Sequence, residues 1–307
     1  MRNAFARVMT QLAQERSDVC LLSGDIGNRM FDRYKEVAPT RFLNCGIAEA
    51  NMMSMAAGMA LSGLRPVVYT ITPFTTTRCL EQIRTGVAYH EAPVVIVGTG
   101  SGLSYAELGA THHSLEDLAI LRSIPNLQVC APADPLELEA QLCEAIEKGQ
   151  PTYIRIGKKG EPNLHSPSSN LGIGKANLLR DGSDLLVIGI GPILSEALAA
   201  SDLLVKDDLF VAVASLGSIK PLDNTFFLKM TERFSRWVTI EEHSVVGGIG
   251  STLLEWKSSS NIQSLSITRM GVPDTFLHSL GNQNFIRKTL GLDSANLAEA
   301  FKREIYL

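Results

Sequence analysis

Residues 1–156 alternate amphipathic stretches with short, wholly apolar runs, a rhythm best satisfied by a parallel sheet covered by helices. The spacing of Phe5, Val8 and Leu12 predicts a helix from Ala4 to Glu15. Further helices are expected from Glu49 to Leu61, Arg78 to Tyr89, Glu116 to Leu121 and Pro135 to Lys148. The intervening runs Val19 to Leu22, Val67 to Thr70, Val94 to Val97, Leu127 to Cys130 and Thr152 to Ile156 read as buried strands. The rhythm stops in a Gly-, Ser- and Pro-rich stretch and then resumes, with strands expected at Leu185 to Ile190, Phe210 to Ala214 and Trp237 to Ile240. The expected architecture is therefore two consecutive α/β domains with mostly parallel sheets, over residues 1–160 and 176–307, joined by a linker at 161–175.

Composition narrows the function. Against 28 Lys+Arg stand 32 Asp+Glu, a net charge of −4 that offers neither a phosphate-backbone footprint nor a polybasic lipid anchor, so neither nucleic acid nor membrane is an expected partner. No apolar run reaches the roughly 18 residues of a membrane span, and the first residues lack a signal-peptide pattern. A cytoplasmic protein is expected. The five cysteines are scattered without a Cys-x-x-Cys pair and read as reduced core residues.

Several chemical templates are missing. Gly189-Ile190-Gly191 is followed by Leu194 where a dinucleotide fingerprint needs glycine, and there is no Gly-Lys-Ser/Thr phosphate loop, Gly-x-Ser-x-Gly elbow or His-Glu-x-x-His pair. What stands out is Glu49, a single acid opening a helix of small and apolar residues. One reading is a carboxylate favoured by the helix dipole. The other is a carboxyl in an apolar wall that exchanges a proton with a bound heterocycle. Nearby Met52, Met53, Met55 and Met59 read as packing.

Gly46-Ile47-Ala48-Glu49 with Ala56-Ala57-Gly58 resembles the pyrimidine-binding domain of transketolases and 1-deoxyxylulose-5-phosphate synthases. Ser23-Gly24-Asp25, Phe74 with Arg78, Gly109 to Asp117, Ile124 to Leu127 and Ala131 to Asp134 resemble that family's following motifs in order. Lys220 to Asp223, Glu241 to Gly250 and Gly271 to Asp274 resemble its C-terminal domain. The diphosphate-binding half of such enzymes, with Gly-Asp-Gly and a distant Asn on magnesium, has no counterpart; Gly24-Asp25-Ile26-Gly27 is not that motif. The resemblance thus implies the small subunit of a split transketolase. The cofactor is thiamine diphosphate with magnesium, the metal ligands come from a separate N-terminal subunit, and a homodimer contact lies within a heterotetramer.

The resemblance also implies roles. Glu49 is to hydrogen-bond the aminopyrimidine nitrogen and favour its imino tautomer, Phe74 to stack on the ring, Asp25 and Ile26 to line the cofactor channel, and Arg78 to complete the cofactor site. His112 is to meet a substrate hydroxyl as a two-carbon ketol unit passes from a ketose to an aldehyde. Tyr105 and the cations Arg2, Arg29, Arg155 and Lys158 are candidate substrate contacts; no metal ligand is expected in this chain. Where transketolases usually have a histidine and an aspartate, this chain has Gly100 and Leu108, which implies a non-standard sugar: deoxygenated, unphosphorylated or nucleotide-linked. Two readings stand beside this one: the β subunit of a 2-oxo-acid dehydrogenase or a deoxyxylulose phosphate synthase-like enzyme, and a non-catalytic partner. His243 belongs to a motif that is structural in the family.

Overall fold

The structure, a computed structural model, describes residues 1–279 and 281–307. Its first unit carries strands β1 (Val19–Ser23), β2 (Phe42–Asn44), β3 (Arg65–Ile71), β4 (Val95–Thr99), β5 (Gln128–Cys130) and β6 (Thr152–Ile156). The second carries β7 (Asn177–Arg180), β8 (Leu185–Ile190), β9 (Val211–Ser215), β10 (Ser218–Lys220), β11 (Arg236–Ser244) and β12 (Ser266–Val272). The five-stranded sheet, of order β12-β11-β8-β9-β7, is parallel except for β7, which runs antiparallel to β9. The other sheet has order β10-β5-β6-β4-β3-β1-β2 and is parallel except at its rim, where β10 pairs antiparallel with β5. The division into two sheets is thus crossed by a strand that belongs to the second unit in sequence.

Every residue of β1, β4 and β6 is buried, as expected of parallel strands covered on both faces. The helix Arg2–Glu15 buries Phe5, Val8, Met9 and Leu12 at helical spacing, and Phe5 stacks on Tyr69 with ring centroids 5.1 Å apart. On the other face, one apolar cluster runs from Met52, Val68 and Ile96 through Leu121 and Ile124 to Ile188, Phe227 and Trp256. The cores of the two units are therefore continuous. The helix Pro135–Lys148 begins where its residues dictate: the Asp134 side chain accepts the Glu137 N–H, Pro135 occupies the first turn and Gly149 closes the end at φ 64°.

Two features depart from the sequence reading. The helix expected from Arg78 to Tyr89 is a short 3-10 turn, Thr77–Cys79, followed by a π-helical stretch, Gln82–Ala88. Upstream, the Thr75 and Thr76 hydroxyls donate to the Thr72 carbonyl and Thr77 donates to Pro73, so side chains compete for the backbone acceptors of a regular helix. The short strands β2, β7 and β10 are additions that no apolar run announces. The cysteines are all unpaired; Cys20, Cys79 and Cys130 are buried, and Cys45 and Cys143 are half-buried.

Candidate active site

Parallel register brings the C-terminal ends of four strands to one edge, with Ile71 beside Thr99, Thr99 beside Ile156 and Ser23 beside Tyr69. Ligand sites in open α/β sheets form at that edge. Its loops carry nearly all the residues singled out from sequence. Glu49 begins the helix Glu49–Leu61 and is only 5% exposed, with no side-chain partner at the helix start itself. Arg78 reaches it instead: Nη1 donates to Glu49 Oε2 at 3.0 Å. The same guanidinium lies 4.1 Å from the centroid of the Phe74 ring, a cation–π contact. Phe74 meets the His112 imidazole edge-on, with centroids 5.3 Å apart, and His112 in turn meets Tyr105 at 6.1 Å. The Lys158 ammonium lies 4.4 Å over the Tyr105 ring and pairs with Glu107 at 2.9 Å. Glu49, Arg78, Phe74, His112, Tyr105, Lys158 and Glu107 thus form one continuous row.

The electrostatics along the row differ from end to end. Burial, aided by the adjacent His113 and Arg78 side chains, holds the His112 pKa below its ordinary value, so its imidazole is neutral near pH 7. Thr111 Oγ lies 2.9 Å from its Nδ1 and helps fix the ring. The hydrogen bond from Lys158 holds the Glu107 carboxyl below its usual range, so this end of the row carries a carboxylate. Burial pushes the Tyr69 hydroxyl up to about 12, opposed by the nearby Thr99 and by the positive charge of Arg2, which lies toward the same edge. Asp25 is exposed and anchored to the segment leading into Glu49: its N–H donates to the Gly46 carbonyl, and Asn44 donates to its carboxylate. Ile26 is half-buried against the helical face of the sheet, and Arg29 is exposed in the turn that follows.

Arg155 is the exception. Its side chain is 3% exposed, pairs with Asp117 at 3.1 Å and donates to the Glu242 carbonyl at 2.6 Å. Tyr153 donates to the other Asp117 oxygen at 2.7 Å. The expectation of a substrate contact is corrected here: the guanidinium faces inward from a fully buried strand and ties the two units together. Nearby, the Glu242 side chain accepts from the Leu103 N–H, from Gln283 and from Arg287, so the second unit buttresses the loop that carries Tyr105 and His112. His243 belongs to the same contact and accepts the Ala119 N–H, while burial drives its pKa down to about 4. Sequence reasoning assigns no role to Glu107, Asp117 or Glu242. Their partners lie 51, 38 and 45 residues away, so no local spacing announces them.

The model of the pyrimidine-binding domain of transketolase matches residues 1–161, and that of the transketolase C-terminal domain matches residues 174–297. The chain belongs to the transketolase family. It is similar to one of the subunits of the apulose-4-phosphate transketolase of Phocaeicola vulgatus, at 32% identity over 97% of this chain and 95% of that one. It is also similar to the 6-deoxy-6-sulfo-D-fructose transketolase subunit SqwH of a Clostridium species, at 30% identity over 98% of this chain and 92% of that one. Among solved structures, a split-gene transketolase described as an inactive β4 tetramer superposes with a TM-score of 0.90 at 31% identity, covering 100% of this chain and 98% of that one. The 1-deoxy-D-xylulose-5-phosphate synthase of a Synechococcus species is 33% identical, but this chain spans only 46% of it. The protein is thus a transketolase subunit of the split kind, from a family that works with thiamine diphosphate. No described helix is long and apolar enough to cross a membrane, and the described residues hold no cluster of three metal-ligating side chains.

The donor set suits the pyrimidine end of that cofactor. Arg78 engages one oxygen of the buried Glu49 carboxyl, and no described residue hydrogen-bonds the other, which is left for a ligand.

Proposed function

We propose that this subunit holds the pyrimidine end of thiamine diphosphate at Glu49 and Phe74, and that a separate N-terminal subunit supplies magnesium and the diphosphate site. Bound there, the cofactor supplies a nucleophilic carbon that carries a two-carbon ketol unit from a ketose to an aldehyde. Glu49 exchanges a proton with a ring nitrogen, and its buried setting makes that hydrogen bond stronger than it would be in water. Arg78 positions the carboxylate. Phe74 provides the stacking face, and Asp25 and Ile26 border the channel. His112, neutral at pH 7, can donate to or accept from a sugar hydroxyl and is the residue best placed to hold a proton at the reacting oxygen. Lys158, Tyr105, Arg2 and Arg29 surround the substrate end.

The observation that carries this reading is the unbroken contact from the buried Glu49 through Arg78 and Phe74 to His112. Further support comes from the split-gene relative, whose β chains by themselves form an inactive tetramer. The contact with a second copy inside a heterotetramer we assign to the surface that carries Ile47, 84% exposed just before Glu49. In the complex reconstituted with its partner chain, Glu49→Gln should lower kcat by about 10²–10⁴-fold while heterotetramer formation is unchanged. Full activity in that variant would refute the assignment.

A further inference from the structure

Resting on that reading, the geometry points to Tyr105, with Leu108 and the Glu107–Lys158 pair, as the wall that selects the aldehyde acceptor, favouring one that is unphosphorylated and deoxygenated where it meets the wall. Three observations converge on it.

First, Gly100 sits at φ +91°, and a Cβ built there would lie 2.3 Å from two atoms of the Tyr105 ring. The ring occupies the volume that a side chain at position 100 would fill, so the glycine and the tyrosine are one feature: an aromatic surface in place of a polar group. Second, Leu108 is 49% exposed on the same loop, and its carbonyl accepts from Thr111, the neighbour of His112. A hydroxyl brought against Leu108 and the tyrosine ring would lose water without gaining a partner there, a discrimination of about 10- to 100-fold.

Third, the positive charge at the wall itself is already committed. Lys158 is paired with Glu107 and clamped over Tyr105. Arg155 is turned inward to Asp117, and Arg78 is held by Glu49. A phosphate dianion reaching this wall would meet the Glu107 carboxylate and compete for a lysine that already has its counter-ion. An uncharged end needs neither exchange.

The test uses the reconstituted complex with 3-hydroxypyruvate as the donor, which leaves nothing beyond the two-carbon unit. Its carboxyl–carbonyl carbon bond breaks and releases carbon dioxide; a bond forms to the aldehyde carbon, and the aldehyde oxygen takes one proton from solvent. Acceptors are 2-deoxy-D-ribose, D-ribose and D-ribose 5-phosphate, compared by kcat/KM. The wild type should rank them in that order, with steps of about tenfold. Leu108→Asp should bring D-ribose level with or above its deoxy analogue, and Glu107→Gln should raise kcat/KM for the phosphate ester by about tenfold relative to that for D-ribose. Tyr105→Val, which leaves Leu108 in place, should reduce the deoxy preference if Leu108→Asp fails to fold. A wild-type preference for D-ribose 5-phosphate overturns the proposal while leaving two-carbon transfer intact. Failure to release carbon dioxide from 3-hydroxypyruvate, even without an acceptor, overturns the underlying reading and the proposal with it.

Discussion

Asp117→Asn tests the inward role of Arg155 most directly. Asp117 and Arg155 are 2% and 3% exposed in their side chains and 3.1 Å apart, and Tyr153 donates to the second carboxylate oxygen. The substitution keeps the shape of the side chain but removes the negative charge, leaving a buried guanidinium whose remaining bond is to the Glu242 carbonyl. Breaking a buried pair from one side costs about 3–5 kcal/mol because the surviving charge is uncompensated. Glu241 lies close enough for Arg155 to stabilise its charged form, which places the expectation at the lower end, about 3 kcal/mol. For a chain of this length that corresponds to a drop in Tm of about 5 °C. Urea unfolding at pH 7 should show the lower midpoint with m unchanged. The double variant Asp117→Asn/Arg155→Met, which removes both charges, should be more stable than Asp117→Asn alone. A single variant within about 0.5 kcal/mol of wild type, or a double variant that is simply additive, would refute the idea that this arginine is an internal strut.

Other consequences are as concrete. Because burial lowers the His112 pKa, its neutral form persists to lower pH than an ordinary histidine, and the acid limb of kcat/KM assigned to it should fall below the usual 6.5 and vanish in His112→Gln. Burial alone would raise the Asp134 carboxyl, but the His165 imidazole, 3.1 Å away, and hydrogen bonds from the Glu137 and His165 N–H groups outweigh it and hold the value at about 2. Its contribution of about 2 kcal/mol is therefore present above pH 4 and lost as pH falls through 2; urea midpoints measured from pH 5 to 2.5 should fall less steeply for Asp134→Asn. Gly100→Ala should cost more than its backbone strain alone, and Tyr105→Val should recover about 1–3 kcal/mol of that cost in a double-mutant cycle read by thermal unfolding.

Much of the fold was legible because buried parallel strands write themselves as apolar runs: β1, β4 and β6 lie where Val, Ile and Leu cluster. The helix beginning at Glu49 was legible from its run of small and apolar residues, as were the segments holding Phe74 and His112 once their motifs were set in order. The strands β2, β7 and β10, of three or four residues, were not legible, since such short pieces are defined by remote partners rather than by a pattern of their own. Arg155 misled for a related reason. It falls near a position where the resemblance implies contact with an anionic group, and only the fold shows that Asp117 meets it. The row from Tyr105 to Glu107 and Lys158 joins loops after two different strands, and nothing in the linear spacing of those residues couples them.

The strand β10 closes the rim of a sheet made otherwise from the first half of the chain. Cutting the polypeptide at the seam between its halves would strip that cover and bare the outer backbone amides and carbonyls of β5, an invitation to intermolecular pairing. The first unit is for this reason not a portable module. Any fusion, domain swap or minimal version must carry the segment through Lys220 along with it.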